Sequence, residues 1–132
     1  MTYNNRGWLA TVLDAEGGIS TNAYDNNGNI ITTNDALGRV STFQYDARNR
    51  LVSSTAADGG INRLKYDLSN NLTGITDTLG HTTKQFYDTR NRLVKTVDAL
   101  GNETKYLYDA VNQLTATVDA KGNRTDYSYD QL

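Results

Sequence analysis

Carboxylates are the groups most able to do chemistry in this 132-residue sequence, and they recur at fixed intervals. Asp25, Asp46, Asp67, Asp88 and Asp109 each follow a tyrosine, while Asp14, Asp35, Asp77, Asp98 and Asp119 each stand three residues before a glycine. Aspartates gathered in loops suit calcium, which takes hard oxygen ligands. The stretch Asp25-Asn-Asn-Gly-Asn-Ile30 matches such a loop in part, but it lacks the further Asp and the Glu of an EF-hand. It reads as turn capping. His81 is the only histidine and no cysteine is present, so no common zinc site can be assembled. A general base needs a positioned partner, and His81 has none nearby in sequence. No Ser or Thr has an evident activating base. The sequence therefore offers no catalytic, cofactor-binding or metal-ligating residue, and the expectation is a non-enzyme without cofactors.

Two other groups invite a binding role. Arg48, Arg50, Arg90 and Arg92 place "ARNR" and "TRNR" two repeats apart, a small basic patch that neighbouring aspartates offset. Regularly spaced tyrosines could stack on sugar rings, although aromatics at strand ends more commonly pack. The net charge of −2 and pI near 5.2 argue against nucleic acid as a partner. No apolar run approaches the length of a membrane helix, so membrane insertion is not expected. The N-terminus carries no visible signal peptide.

The elements that position these residues follow from an internal repeat. Tyrosines stand at 3, 24, 45, 66, 87, 108 and 129, always 21 apart. Tyr24, Tyr45, Tyr66, Tyr87, Tyr108 and Tyr129 are each followed by Asp, and Gly38, Gly59, Gly80, Gly101 and Gly122 fall fourteen residues after a tyrosine. A large aliphatic residue sits six after each tyrosine: Leu9, Ile30, Leu51, Leu72, Leu93 and Leu114. The chain thus reads as one repeat domain, 1–132, with units 3–23, 24–44, 45–65, 66–86, 87–107 and 108–128 and a partial unit 129–132.

Each unit carries two Asp-x-x-Gly/Asn signals. Asp at the first turn position accepts backbone N–H groups, and Gly or Asn at the fourth takes positive φ. Ala56 breaks the first position once, and Asp58 and Gly60 are expected to shift that turn locally. Turn spacings of ten and eleven leave segments of six or seven residues, a normal strand length. "NETKYLYD" alternates Thr104, Tyr106 and Tyr108 against Glu103, Lys105 and Leu107. No segment has helical period. The expected fold is all-β: an antiparallel β-hairpin repeat array forming a curved or spiralling strip. Tyrosine rings from successive units are expected to pack in a ladder across the sheet. Trp8, in the most apolar strand, is expected to plug the local core in preference to docking another chain.

The pattern Y-D-x-x-N/G-R-L-V-x-x-x-D-A-L-G-N-x-T-x-x-x-Y, clearest at Tyr45–Leu51 and Tyr87–Tyr108, resembles the YD or RHS repeat. That family includes bacterial RHS and wall-associated proteins, shell components of insecticidal toxin complexes, and teneurins. The resemblance implies a β-strip that closes into a hollow shell, enclosing a C-terminal toxic domain in bacterial members. It implies secretion or a cell-surface location. The family's self-cleaving site uses Asp-Pro-x-Gly motifs, and this sequence has no proline. With no plug region before residue 3, no toxin region after 129 and too few units for a closed shell, the expectation is a wall segment. Its partners would be neighbouring repeats or other copies through sheet edges, and an enclosed toxin domain. Alternatives are a cell-surface module that binds carbohydrate or protein, with a glycan as ligand, and a self-assembling subunit that pairs through open edges.

Overall fold

A computed structural model describes residues 1–130 and contains only strands and turns. The strands are β1 (Thr2–Tyr3), β2 (Leu9–Leu13), β3 (Ile19–Tyr24), β4 (Ile30–Asn34), β5 (Val40–Tyr45), β6 (Leu51–Thr55), β7 (Ile61–Tyr66), β8 (Leu72–Thr76), β9 (Thr82–Tyr87), β10 (Leu93–Val97), β11 (Glu103–Tyr108), β12 (Leu114–Val118) and β13 (Arg124–Asp126). They form an antiparallel sheet whose order follows the chain. Two compact units emerge, Met1–Arg63 and Leu64–Leu132, and each is considered by itself.

The turns dictate this regularity. Twelve of the described residues have positive φ: eight glycines, and Asn49, Asn70, Asn91 and Asn112. Each is the fourth residue of a turn, where the left-handed region favours Gly and tolerates Asn. In each turn the fourth N–H donates to the first residue's carbonyl, as Gly38 does to Asp35 at 2.9 Å. The first N–H donates to the carbonyl of the fifth residue, as Asp46 does to Arg50 at 2.9 Å. The turn at Ala56 does not shift. Gly59 still donates to Ala56 and keeps φ at 87°, and Asp58 supplies the missing carboxylate by accepting from the Gly60 N–H at 2.9 Å.

The two hairpins of a repeat differ in register. Across the turns that do not follow a repeat tyrosine, pairing is even: Leu13 faces Ile19 and Val12 faces Ser20. Across the Tyr-Asp turns it slips by one. Tyr24 faces Ile30 but Ala23 faces Thr32, so Ile31 is the extra residue of a bulge. Val52 and Val94 occupy the same place in later hairpins. The bulge accounts for a repeat of odd length and for turn spacings that alternate between ten and eleven.

Equivalent positions therefore drift along the strands. Thr21 faces Asn34 and Asn34 faces Val40, nineteen positions on, whereas the repeat is 21. In the second unit Lys84 faces Val97 and Val97 faces Glu103, the same slip of two residues. Two residues are about 6.6 Å along a strand and two strand spacings about 9.6 Å, so strands tilt from the repeat direction by roughly 35°. A tilt of about 35–45° is the one closed barrels use.

Little of the sheet is buried deeply. Ala116 is the one fully buried apolar side chain among the described residues, and no large side chain is fully buried. Cohesion must come from ladder hydrogen bonds, turn caps and contacts between neighbouring strands, as expected of an array whose repeats touch only their neighbours.

Candidate functional site

The feature that recurs is a corner, made where a tyrosine ends one strand and an aspartate opens the next turn. Tyr24, Tyr45, Tyr66, Tyr87 and Tyr108 are the last residues of their strands, and Asp25, Asp46, Asp67, Asp88 and Asp109 follow. Gly38, Gly59, Gly80, Gly101 and Gly122 are the positive-φ residues of the opposite rim. Tyr129 lies beyond β13.

Each aspartate caps its own turn. Asp88 Oδ1 accepts the N–H groups of Arg90 at 2.8 Å and Arg92 at 3.0 Å, and Oδ2 accepts Arg92 Nε at 2.7 Å. The same three bonds occur at Asp46, with Arg48 and Arg50. At Asp25 the fifth residue is Asn29, whose side chain donates to Oδ2 at 2.8 Å. With its oxygens occupied by backbone and side-chain donors, Asp25 serves the turn. His81 takes the same fifth position, its Nδ1 lying 3.0 Å from Asp77 Oδ2.

These bonds favour the charged carboxylate. Asp46 is pushed down to about 2, chiefly by the Arg50 side chain, against the opposing effect of desolvation. Asp25, Asp35, Asp88, Asp98 and Asp119 are also lowered, each mainly by hydrogen bonds from the residue four positions on. At Asp77 burial opposes the shift and bonds from His81 outweigh it. No group of three or more His, Cys, Asp or Glu able to hold a metal occurs among the described residues.

The tyrosines act through their hydroxyls as well as their rings. Tyr24 donates to the Leu9 carbonyl at 2.8 Å, Tyr87 to Leu72 at 3.0 Å, Tyr108 to Leu93 at 2.9 Å and Tyr129 to Leu114 at 3.0 Å, always fifteen residues back. Leu9, Leu93 and Leu114 each precede the extra residue of a bulge. A bulge disrupts the ladder, and an unmatched carbonyl away from water is costly. The next unit's tyrosine supplies a donor there. Burial, with the Asp67 charge adding to it, raises the Tyr87 hydroxyl above its ordinary value, which keeps it a neutral donor.

The expected ring ladder is replaced by this hydroxyl tie. Tyrosines of successive units stand two strands apart, about 9.6 Å, beyond the roughly 4.5–7 Å of a ring pair. Rings instead receive other partners: Trp8 lies 5.3 Å from the Tyr24 ring, and the Arg92 guanidinium 4.8 Å from Tyr108.

A second set of contacts joins successive Tyr-Asp turns, through residues not anticipated from sequence. The fifth turn residue reaches forward twenty positions to the positive-φ Asn of the next unit. Asn29 Nδ2 donates to Asn49 Oδ1 at 2.9 Å, Asn71 to Asn91 at 2.8 Å, and Arg92 to Asn112 at 3.0 Å. Asn is therefore more than a tolerated substitute for Gly: its side chain is the acceptor that receives the preceding turn. Where the fifth residue is Trp8, the residue twenty on is Gly28, and a Cβ there would lie 3.0 Å from the indole. Trp8 thus packs within the first unit on the Tyr-Asp rim. The recurrence of Asn, Arg or Trp at this position was the available signal.

Comparison with known proteins fits this architecture. The RHS Repeat family model matches residues 24–61, 66–105 and 108–132. No curated protein matches the chain. Among solved structures, the Photorhabdus luminescens Tc holotoxin pore is similar with a TM-score of 0.66 at 18% identity, over 77% of this chain and 5% of that one. The TcdB2-TccC3-Cdc42 structure gives 0.72 at 15% identity over 89% of this chain and 7% of that one, and TcdB2-TccC3-TEV gives 0.73 at 16% over 90% and 7%. This chain thus spans a small fraction of the length of the chains it matches. Family match, 21-residue beat and capped corner coincide along most of the sequence, and the chain belongs to the RHS repeat family.

Proposed function

We propose that this chain is a non-enzymatic wall segment of an RHS-type shell, which encloses or presents a toxin or effector domain and works outside the cell that makes it. The observation that carries this reading is the constant two-residue slip within each unit. A slip of one sign in every repeat turns a strip steadily, and the resulting tilt of roughly 35° is in the range at which sheets close on themselves. The corners suit the same task. Turns stitched to the next turn, and hydroxyls tied to the previous unit, hold a thin sheet together without a thick core. Such a wall separates two compartments and leaves both faces free for other contacts. Likeness in fold to chains of the TcdB2-TccC3 structures supports the reading. Its partners are neighbouring repeats along the strip and the domain enclosed.

The test is a graft. The segment replaces an equal number of repeats in a bacterial RHS shell, and protection of the enclosed domain from added protease is measured. Protection equal to the parent shell is the expected result. Digestion of the cargo while the grafted chain remains folded would refute the wall reading.

A further inference from the structure

Charge in the second unit is sorted by surface. Its rims carry aspartates: Asp67, Asp88 and Asp109 on one, Asp77, Asp98 and Asp119 on the other. The strand positions named on the face of Tyr87, Gln85, Thr96, Thr104, Tyr106, Tyr108 and Leu114 are uncharged, and the Arg92 guanidinium reaches onto it from the rim, over Tyr108. The other face carries Lys65, Lys84, Lys95 and Lys105. Lys84 stands opposite Gly74 and Val97, Lys95 opposite Phe86 and Lys105, and a Cβ on Gly74 would meet Lys65 at 3.5 Å. Lys95 pairs with Glu103 at 2.9 Å and lies 4.6 Å from the Phe86 ring. Arg124 and Asp126, at the end of this face, pair with each other at 2.8 Å. Among the described residues Lys65, Lys84 and Lys105 form no ion pair.

Folding does not require this arrangement. Like charges directly opposite one another, as Lys95 and Lys105 are, destabilise a sheet. Lysines can also guard a sheet against stacking, but the first unit's equivalent face has none, and exposes Leu13 (59%) and Ile19 (56%). Thr21 and Thr42 hold the repeat positions of Lys84 and Lys105.

We propose that the lysine face of the second unit, with Phe86 and Leu107, is a docking surface for an extended acidic polypeptide segment. Phe86 and Leu107 are 42% and 39% exposed between the lysines and can take apolar side chains of that segment. The face is one strand length wide, about 17–20 Å, and a row of aspartates flanks it on either side. A broad anionic surface such as a bilayer, or a duplex, would meet those rims; a single extended chain lies between them. Phosphate recognition favours the guanidinium fork, and Arg92 is committed to Asp88 and Asn112 at the rim. Nucleobases stack along a series of aromatic rings, whereas Phe86 is the one aromatic residue among those named on this face, and Lys95 lies over part of it. The inference rests on this face alone and does not depend on the shell reading.

The test is fluorescence anisotropy of the 132-residue chain with a short labelled peptide of glutamate interspersed with leucine. Saturable binding that weakens steeply with salt is expected. Lys84→Gln with Lys105→Gln should weaken it roughly tenfold or more without lowering amide-exchange protection. Thr21→Lys with Thr42→Lys should strengthen it by creating a second basic face. Absence of saturable binding, a Lys84→Gln/Lys105→Gln variant that binds like the parent, or tighter binding of oligouridylate or phosphatidylserine vesicles than of the peptide would each overturn the proposal.

Discussion

Two halves of this chain share a backbone plan and differ in what they do with it. In Met1–Arg63 the face opposite the tyrosines is lined by Thr11, Thr21, Thr32, Thr42 and Thr55, with Arg63 its one charge. In Leu64–Leu132 the equivalent face carries four lysines. The rims differ in the same way. An indole lies over Gly28 in the first unit, while in the second a guanidinium lies over Tyr108 and spans two turns. Neither difference disturbs register, which slips by two residues in both. The repeat thus constrains the turn residues and the tyrosine, and leaves strand faces and rim bridges free to specialise.

The largest effect should come from forcing one unit's rim into the other's chemistry. Gly28→Asn sets a Cβ 3.0 Å from the Trp8 ring and should destabilise the first unit by about 2 kcal/mol, as overpacking does. In a Trp8→Asn background the same change should be close to neutral, because the new pair reproduces the Asn29–Asn49 bridge. Amide hydrogen exchange in residues 1–63 reads the cycle. Equal losses in both backgrounds would show that the indole does not dictate the glycine.

The tyrosine tie should be common to both units. Tyr24→Phe and Tyr108→Phe each leave a bulge carbonyl without its donor and should each cost about 1 kcal/mol. Matching losses in local exchange protection are expected. No loss at either site would mean that the rings, which Phe keeps together with the Arg92 contact at position 108, hold the corners and the hydroxyls do not.

Acid should separate the units, by less for each group, since every carboxylate concerned keeps contact with solvent and is screened by it. Folded values are depressed at Asp25, Asp35 and Asp46 in the first unit and at Asp77, Asp88, Asp98, Glu103 and Asp119 in the second. A depressed carboxylate contributes stability that is present above its unfolded value, 3.8 for Asp, and lost as pH falls through the folded value, about 2 at Asp46. Exchange protection in the second unit should therefore decline further across this window than in the first. An equal decline in both would break the comparison.

Much of the fold was legible because its turns have few chemical solutions. Only Gly or Asn suits positive φ, and an aspartate three residues earlier is a direct cap, so Asp35 and Gly38 announce their geometry. At Ala56 the expectation of a shifted turn failed because Asp58 can cap from the third position without moving it. The tyrosines were read as rings, since aromatic residues in strands usually matter by area. Their hydroxyls act across fifteen residues, a distance that depends on the bulge, and the bulge leaves no mark in composition. The link between Trp8 and Gly28 was equally hidden, because it joins positions that are close only after pairing is known.

The smallest effect distinguishes selection for folding from selection for binding. Lys105→Thr gives the second unit the residue found at Thr42 and removes a like charge facing Lys95. Lys95 keeps Glu103 and its place over Phe86. The variant should gain a few tenths of a kcal/mol, about 0.2–0.5, with the gain shrinking at high salt as screening weakens the repulsion. Local amide exchange around β10 and β11 at two ionic strengths measures it. A stability gain with weaker peptide binding would show that Lys105 is kept at a cost to the sheet. A stability loss would instead make Lys105 part of the scaffold, and the two faces would then differ for structural reasons.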